Sequence, residues 1–149
     1  MLACAGLARI GQAGAITQVF EPDEMLPAPG QGALAVECRA DDAELAALLE
    51  AVTDEASVAA VTAERSLLEA LEAGCHAPVG AYAVSAGTVR MQAAVMSLDG
   101  SRILRAHGDA AAADAGQLGR DLAAELLRSG ASDLISVSEE QANSRNDVQ

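Results

Sequence analysis

The residue best placed for chemistry is Cys75, within the run Gly74-Cys75-His76-Ala77-Pro78. A helix-ending glycine before it and a proline after it put the thiol on a conformationally fixed loop between a helix and a strand. A loop thiol beside a histidine can serve as a nucleophile or as a covalent attachment point, and an incidental loop cysteine has the same setting. A helix C-terminus disfavours the thiolate, so strong activation of the thiol is not expected. Cys4 and Cys38 fall on the apolar faces of a predicted helix and strand, where they are expected to be inert packing.

A second candidate is Pro27-Ala28-Pro29-Gly30-Gln31-Gly32. Gly-X-Gly lets backbone amides approach a ligand, although the run lacks both the dinucleotide fingerprint and a P-loop lysine. The prolines make it a stiff connector as much as a binding loop. Arg9 and Arg39 have the chemistry to clamp carboxylates, and Arg39 equally suits an ion pair at a strand end. No paired carboxylates and no Ser/His/Asp arrangement emerge. The thiols and His76 and His107 are too scattered for a metal site, so no metal is expected.

The elements that must position these groups follow from pattern. Residues 2–10 read as a short helix with Gly11 as its C-terminal cap, and with no polar lead-in before it. That opening fits either a frayed terminal helix or a chain cut inside a larger fold. Ile16–Phe20 and Ala33–Cys38 read as strands, the second buried and ending at Arg39. Asp41 is expected to cap a helix through Leu45, Leu48 and Leu49. Asp54 starts a long helix whose stripe is Val58, Val61, Leu67, Leu68 and Leu71, with Glu64, Arg65, Glu69 and Glu72 outward and Gly74 as a left-handed cap. Strands are predicted at Val79–Val84, Thr88–Leu98 and Arg102–Ala106, with Ala86-Gly87 and Asp99-Gly100 as the turns. Ala110–Ala113 reads as a connector. A Leu-rich helix spans Asp114–Ser129 and ends at Gly130. Leu134–Val137 is read as a last strand, and Glu139–Gln149 as a mobile polar tail. Helix, three-stranded meander and helix make an α+β domain with helices on one sheet face.

Composition narrows the partners. The chain has 149 residues, 51% of them hydrophobic, and a net charge of −13 from 22 acidic and nine basic residues. Every basic residue is arginine, and the only aromatic residues are Phe20 and Tyr82, so the core must be aliphatic. Such a surface repels nucleic-acid backbones and anionic membranes. No signal peptide, membrane span or disulfide framework is read, and a soluble protein of a reducing compartment is expected.

Two segments resemble the signatures of the porphobilinogen deaminase (hydroxymethylbilane synthase) family: LPAPGQGALAVECRADD (Leu26–Asp42) and VTAERSLLEALEAGCHAPVGAYA (Val61–Ala83). They hold Gly30-Gln31-Gly32, Glu37-Cys38-Arg39, Ala63-Glu64-Arg65, Gly74-Cys75 and Pro78-Val79-Gly80 in the family's order. The resemblance implies a cytoplasmic transferase of haem and related tetrapyrrole synthesis. In that family the cysteine matching Cys75 carries a dipyrromethane cofactor through a thioether. Four porphobilinogen molecules are then joined head to tail, with loss of ammonia, to give hydroxymethylbilane. Gly6, Arg9, Gln31 and Gly32 match positions lining the cofactor and substrate cleft, whereas Arg39 matches the motif without an assigned role and His76 is given none. The family's catalytic aspartate lies upstream, so no catalytic residue is assigned here and the chain alone is expected to be inactive. Residues 1–26 then correspond to the end of a second domain and 27–53 to a return segment into a first. Residues 54–138 make a cofactor-attachment domain, and 139–149 a tail. The expected partners are porphobilinogen, the growing pyrrole chain and the remainder of the same, monomeric enzyme. A non-catalytic α+β interaction module derived from the family is the alternative.

Overall fold

A computed structural model describes residues 1–74 and 77–146. Five α-helices and one sheet make up the architecture among these residues: α1 (Cys4–Arg9), α2 (Ala43–Glu50), α3 (Glu55–Ala70), β1 (Val79–Ser85), β2 (Thr88–Met96), β3 (Ile103–Ala111), α4 (Ala115–Arg128) and α5 (Ala131–Asn146). The sheet is an antiparallel meander in the order β1-β2-β3. Its register sets Ala81 opposite Ala93 and Ala93 opposite Ala106.

Period-two alternation sends Ala81, Ala83, Val89, Met91, Ala93, Val95 and Ala106 to one face, where they are buried. Helices α3 and α4 cover that face through Ala63, Leu67, Leu118, Leu122 and Leu126. The fold is therefore the expected α+β sheet with helices on one side. Because the core holds no aromatic side chain, close approach of small residues takes the place of bulk. Where α3 and α4 meet, a Cβ built at Gly119 would lie 2.2 Å from the Ala63 carbonyl oxygen.

Local signals behave as expected at several points. The Asp54 carboxylate accepts the Ser57 N–H at 2.9 Å and caps α3. Asp99 and Gly100 make the β2–β3 turn, with Gly100 at φ 72°. The Asp99 carboxylate accepts the Ser97 hydroxyl at 2.6 Å and the Ser101 N–H at 3.0 Å. Those bonds hold its pKa down at about 2. Gly130 ends α4 at φ 96°, and the Arg102 guanidinium donates to the Ser129 carbonyl at that negative helix end.

Other expectations are corrected. The stripe of α3 is rotated: Ala59, Ala60, Ala63, Glu64 and Leu67 are buried while Val58 is 51% exposed. Reading the stripe from large side chains alone overlooked the alanines that let the helix sit close to the sheet. The left-handed residue after α3 is Glu72, at φ 52°. The Ala73 N–H reaches back to the Leu68 carbonyl, which closes a Schellman-type end two residues earlier than expected. Asp42, not Asp41, caps α2 by accepting the Leu45 N–H at 3.1 Å. Strand β3 runs on through Ala110 and Ala111, and a 3-10 turn at Ala112–Asp114 leads into α4. Leu134–Val137 is helical: Ala131, Ile135 and Ser138 are buried at helical spacing within α5. The backbone of 139–146 continues that helix.

The expected strands Ile16–Phe20 and Ala33–Cys38 pair with nothing among the described residues, and Leu34 is 94% exposed. A strand exists by pairing, and no neighbour is offered to them here. Cys4 and Cys38 are consequently exposed and not packed.

Candidate functional site

The site grows from a strap, residues 26–32, that crosses the outer edge of β1. An edge strand leaves alternate N–H groups without a ladder partner. Here three successive ones are satisfied from outside the sheet. The Val79 N–H donates to the Ala77 carbonyl at 2.8 Å and the Ala81 N–H to the Pro27 carbonyl at 2.9 Å. The Ala83 N–H donates to Oε1 of Glu64 at 2.7 Å. Gly80 is glycine because the strap passes so near: a Cβ there would fall 2.9 Å from the Leu26 Cβ.

Beyond Pro29 the strap turns through Gly30 and Gly32, at φ 74° and 90°, a conformation side chains rarely adopt. The Gln31 N–H donates to the Ala28 carbonyl at 3.0 Å, and its side-chain oxygen accepts the Ala28 N–H at 3.2 Å. That use of the oxygen leaves the Gln31 amide NH2 to solvent or ligand. Space around Gly32 is open, with nothing within 4 Å of a built Cβ.

Glu64 ties this loop to the domain. Its Oε2 accepts the Gly30 N–H at 2.6 Å while Oε1 holds Ala83. Burial pushes its pKa above the ordinary glutamate value, and the two backbone donors partly offset that rise. The expectation that Glu64 points outward is thus wrong. A signal was present: its neighbours at helical spacing, Ala60, Leu67 and Leu68, are all apolar.

Cys75 and His76 lie outside the described residues. The described residues on either side of them are held in place, however. Ala73 and Ala77 pack against the core, and the Met96 N–H holds the Pro78 carbonyl at 3.0 Å. The strap meets β1 at Gly80 and Ala81, a few residues after Cys75 in sequence. Gly6 and Arg9 are not brought to this place by any described hydrogen bond. They sit exposed on α1, which packs against the 3-10 turn Ala13–Ala15. Arg39 pairs with Asp42 at 3.0 Å and with Asp41 at 3.9 Å.

A separate groove of about 390 Å³ lies between the start of α3 and the 3-10 turn before α4. Its charged lining is Glu50 and Glu55, which ill suits an anionic ligand. Among the described residues, no helix is long and apolar enough to cross a membrane.

Fold and site together define a helix-backed sheet domain that holds a glycine loop from an earlier segment on its edge. Comparison with known proteins finds two matching family models. The one described as porphobilinogen deaminase, C-terminal domain, covers residues 58–128. The one described as porphobilinogen deaminase, dipyromethane cofactor binding domain, covers 1–47. The chain belongs to the porphobilinogen deaminase family. It is 48% identical over 146 residues to porphobilinogen deaminase of Mycobacterium avium (strain 104), covering 91% of this chain and 46% of that protein. Against the enzyme of Mycobacterium tuberculosis (strain H37Rv) identity is 47% over 145 residues, or 91% of this chain and 47% of the relative. The chain thus spans about half the length of the curated relatives it matches.

Proposed function

We propose that this chain forms the C-terminal part of a hydroxymethylbilane synthase and carries the attachment point of its dipyrromethane cofactor at Cys75. The observation that carries this reading is the strap on β1. It joins the segment matching the cofactor binding domain to the start of the strand that follows Cys75, within the segment matching the C-terminal domain. A tetrapyrrole-building enzyme needs its anchor and its cleft lining held in one frame.

When bound, dipyrromethane supplies the primer on which porphobilinogen units are joined head to tail. The residues of this chain hold and position it. Cys75 would hold the group through a thioether to its sulfur. A thioether persists where an ester would hydrolyse. The Gln31 amide NH2 is a neutral donor suited to a carboxylate side chain, and the open space at Gly32 lets a flat pyrrole approach the backbone. With Gly6 and Arg9 the strap would line the cleft once the rest of the enzyme is present. That remainder must supply the positive charge, since this chain carries −13. The same reading makes the enzyme cytoplasmic and monomeric.

Intact mass spectrometry of the complete enzyme containing this sequence tests the assignment. Cys75→Ser is expected to lose the mass of two pyrrole units and all activity, and an unchanged mass overturns it. The 149-residue chain assayed alone is expected to consume no porphobilinogen, because the general acid/base carboxylate implied by the family has no counterpart here.

A further inference from the structure

We propose that Glu64 is a positioning residue, whose carboxylate fixes the Gly30-Gln31-Gly32 loop on the domain that carries Cys75. This deepens the reading above, since it gives the cleft-lining loop its fixed place.

Two anchors hold the strap among the described residues, one on β1 and one on α3, and they act at different points. The Ala81–Pro27 bond sets where the strap crosses the edge. Past Pro27 the bonds of the loop are internal: Gln31 to Ala28 twice, and the Ala33 N–H to the Gly30 carbonyl at 3.3 Å. Such a loop keeps its own shape yet can swing as a unit about Pro27 and Ala28. The Gly30–Glu64 bond stops that swing, and it spans 34 residues of chain.

A carboxylate is the group this geometry requires. It has only acceptors, so each oxygen can take one N–H, and the two donors approach from opposite elements. Oε1 is fixed by Ala83, inside a strand paired along its length with β2. Oε2 then presents a charge-assisted acceptor at a defined height above the edge, and Gly30 docks to it at 2.6 Å. No described ion pair neutralises Glu64, so the two backbone dipoles are what hold the charge. A surface glutamate would need none of this arrangement.

Glutamine is the same size but offers one acceptor and turns an NH2 toward the other donor. Ala83 is clamped by its strand, so the loop is the side that yields. In the 149-residue chain, Glu64→Gln is expected to speed hydrogen exchange of the Gly30 amide about 10- to 100-fold. The Val89 and Val95 amides of the core should stay within about twofold. Unchanged exchange at Gly30, or an equal acceleration of every amide, overturns positioning by Glu64. Should the variant not fold, the wild-type chain still decides: the Gly30 amide proton is expected well downfield of a random-coil glycine. A random-coil position sinks the proposal. Neither measurement needs cofactor, so their failure is distinct from failure of the Cys75 mass test.

Discussion

Residues 1–53 and residues 54–138 are built from similar apolar material and use it in opposite ways. In the later region Leu67, Ala63, Val89 and Val95 are wholly buried against one another. In the earlier one no described residue is buried, and Leu2, Ile10, Leu34, Val36, Leu48 and Val52 stand open to solvent. Leucine and valine do not differ between the regions; their neighbours do. The later region closes its sheet with its own helices, whereas the earlier one leaves its apolar groups uncovered. The strap is the exception, and it is the part of residues 1–53 that the later region holds directly, through Pro27 and Gly30.

Two glycines put the largest test to this contrast. Gly119→Ala forces a Cβ into the Ala63 carbonyl and the Leu67 backbone nitrogen, at 2.2 and 2.8 Å. The α3–α4 crossing must open, and a loss of about 3 kcal/mol in urea unfolding is expected. Gly14→Ala, in the earlier region, meets nothing within 4 Å. Its effect is expected to stay within about 0.5 kcal/mol. Equal effects would mean that the two regions are packed alike.

What was legible in the sequence follows the same division. Asp54, Asp99-Gly100 and Gly130 act on residues a few positions away, so type and spacing sufficed to place a cap, a turn and a helix end. The partners of Glu64 were not legible, because they lie 34 and 19 residues off and are backbone groups that carry no side-chain signature. The apolar runs Ile16–Phe20 and Ala33–Cys38 announce a wish for burial without saying against what. Here they stay unpaired. Within the site, the Gly-X-Gly pattern marked a segment whose backbone a ligand could approach, and that segment lies on the strap; a place for Gln31 and Gly32 in a cleft came from family resemblance. Gly6 and Arg9 rested on family resemblance, and no described bond brings them to it.

Glu72 offers a middle-sized test inside the later region. It holds the left-handed position that ends α3, where a Cβ is unfavourable. Glu72→Gly is expected to stabilise the chain by about 1 kcal/mol, or roughly 4 °C in Tm by calorimetry. Destabilisation would show that the Glu72 side chain makes contacts outweighing its backbone strain.

The smallest expected effect is the most informative about the earlier region. Leu34 is 94% exposed and Val36 70%, at alternate positions of an unpaired segment. Leu34→Ser therefore removes nothing the chain has buried, and its urea midpoint should shift by less than about 0.5 kcal/mol allows. In the complete enzyme the same substitution should cost about 2–3 kcal/mol, the worth of burying one leucine side chain. A large loss in the 149-residue chain would show that residues 33–38 already pack on the later region. A negligible loss in both proteins would remove the reason for reading this apolar run as the contact surface of a larger fold. Only the combination, silent here and costly there, matches a segment whose partner lies elsewhere in the enzyme.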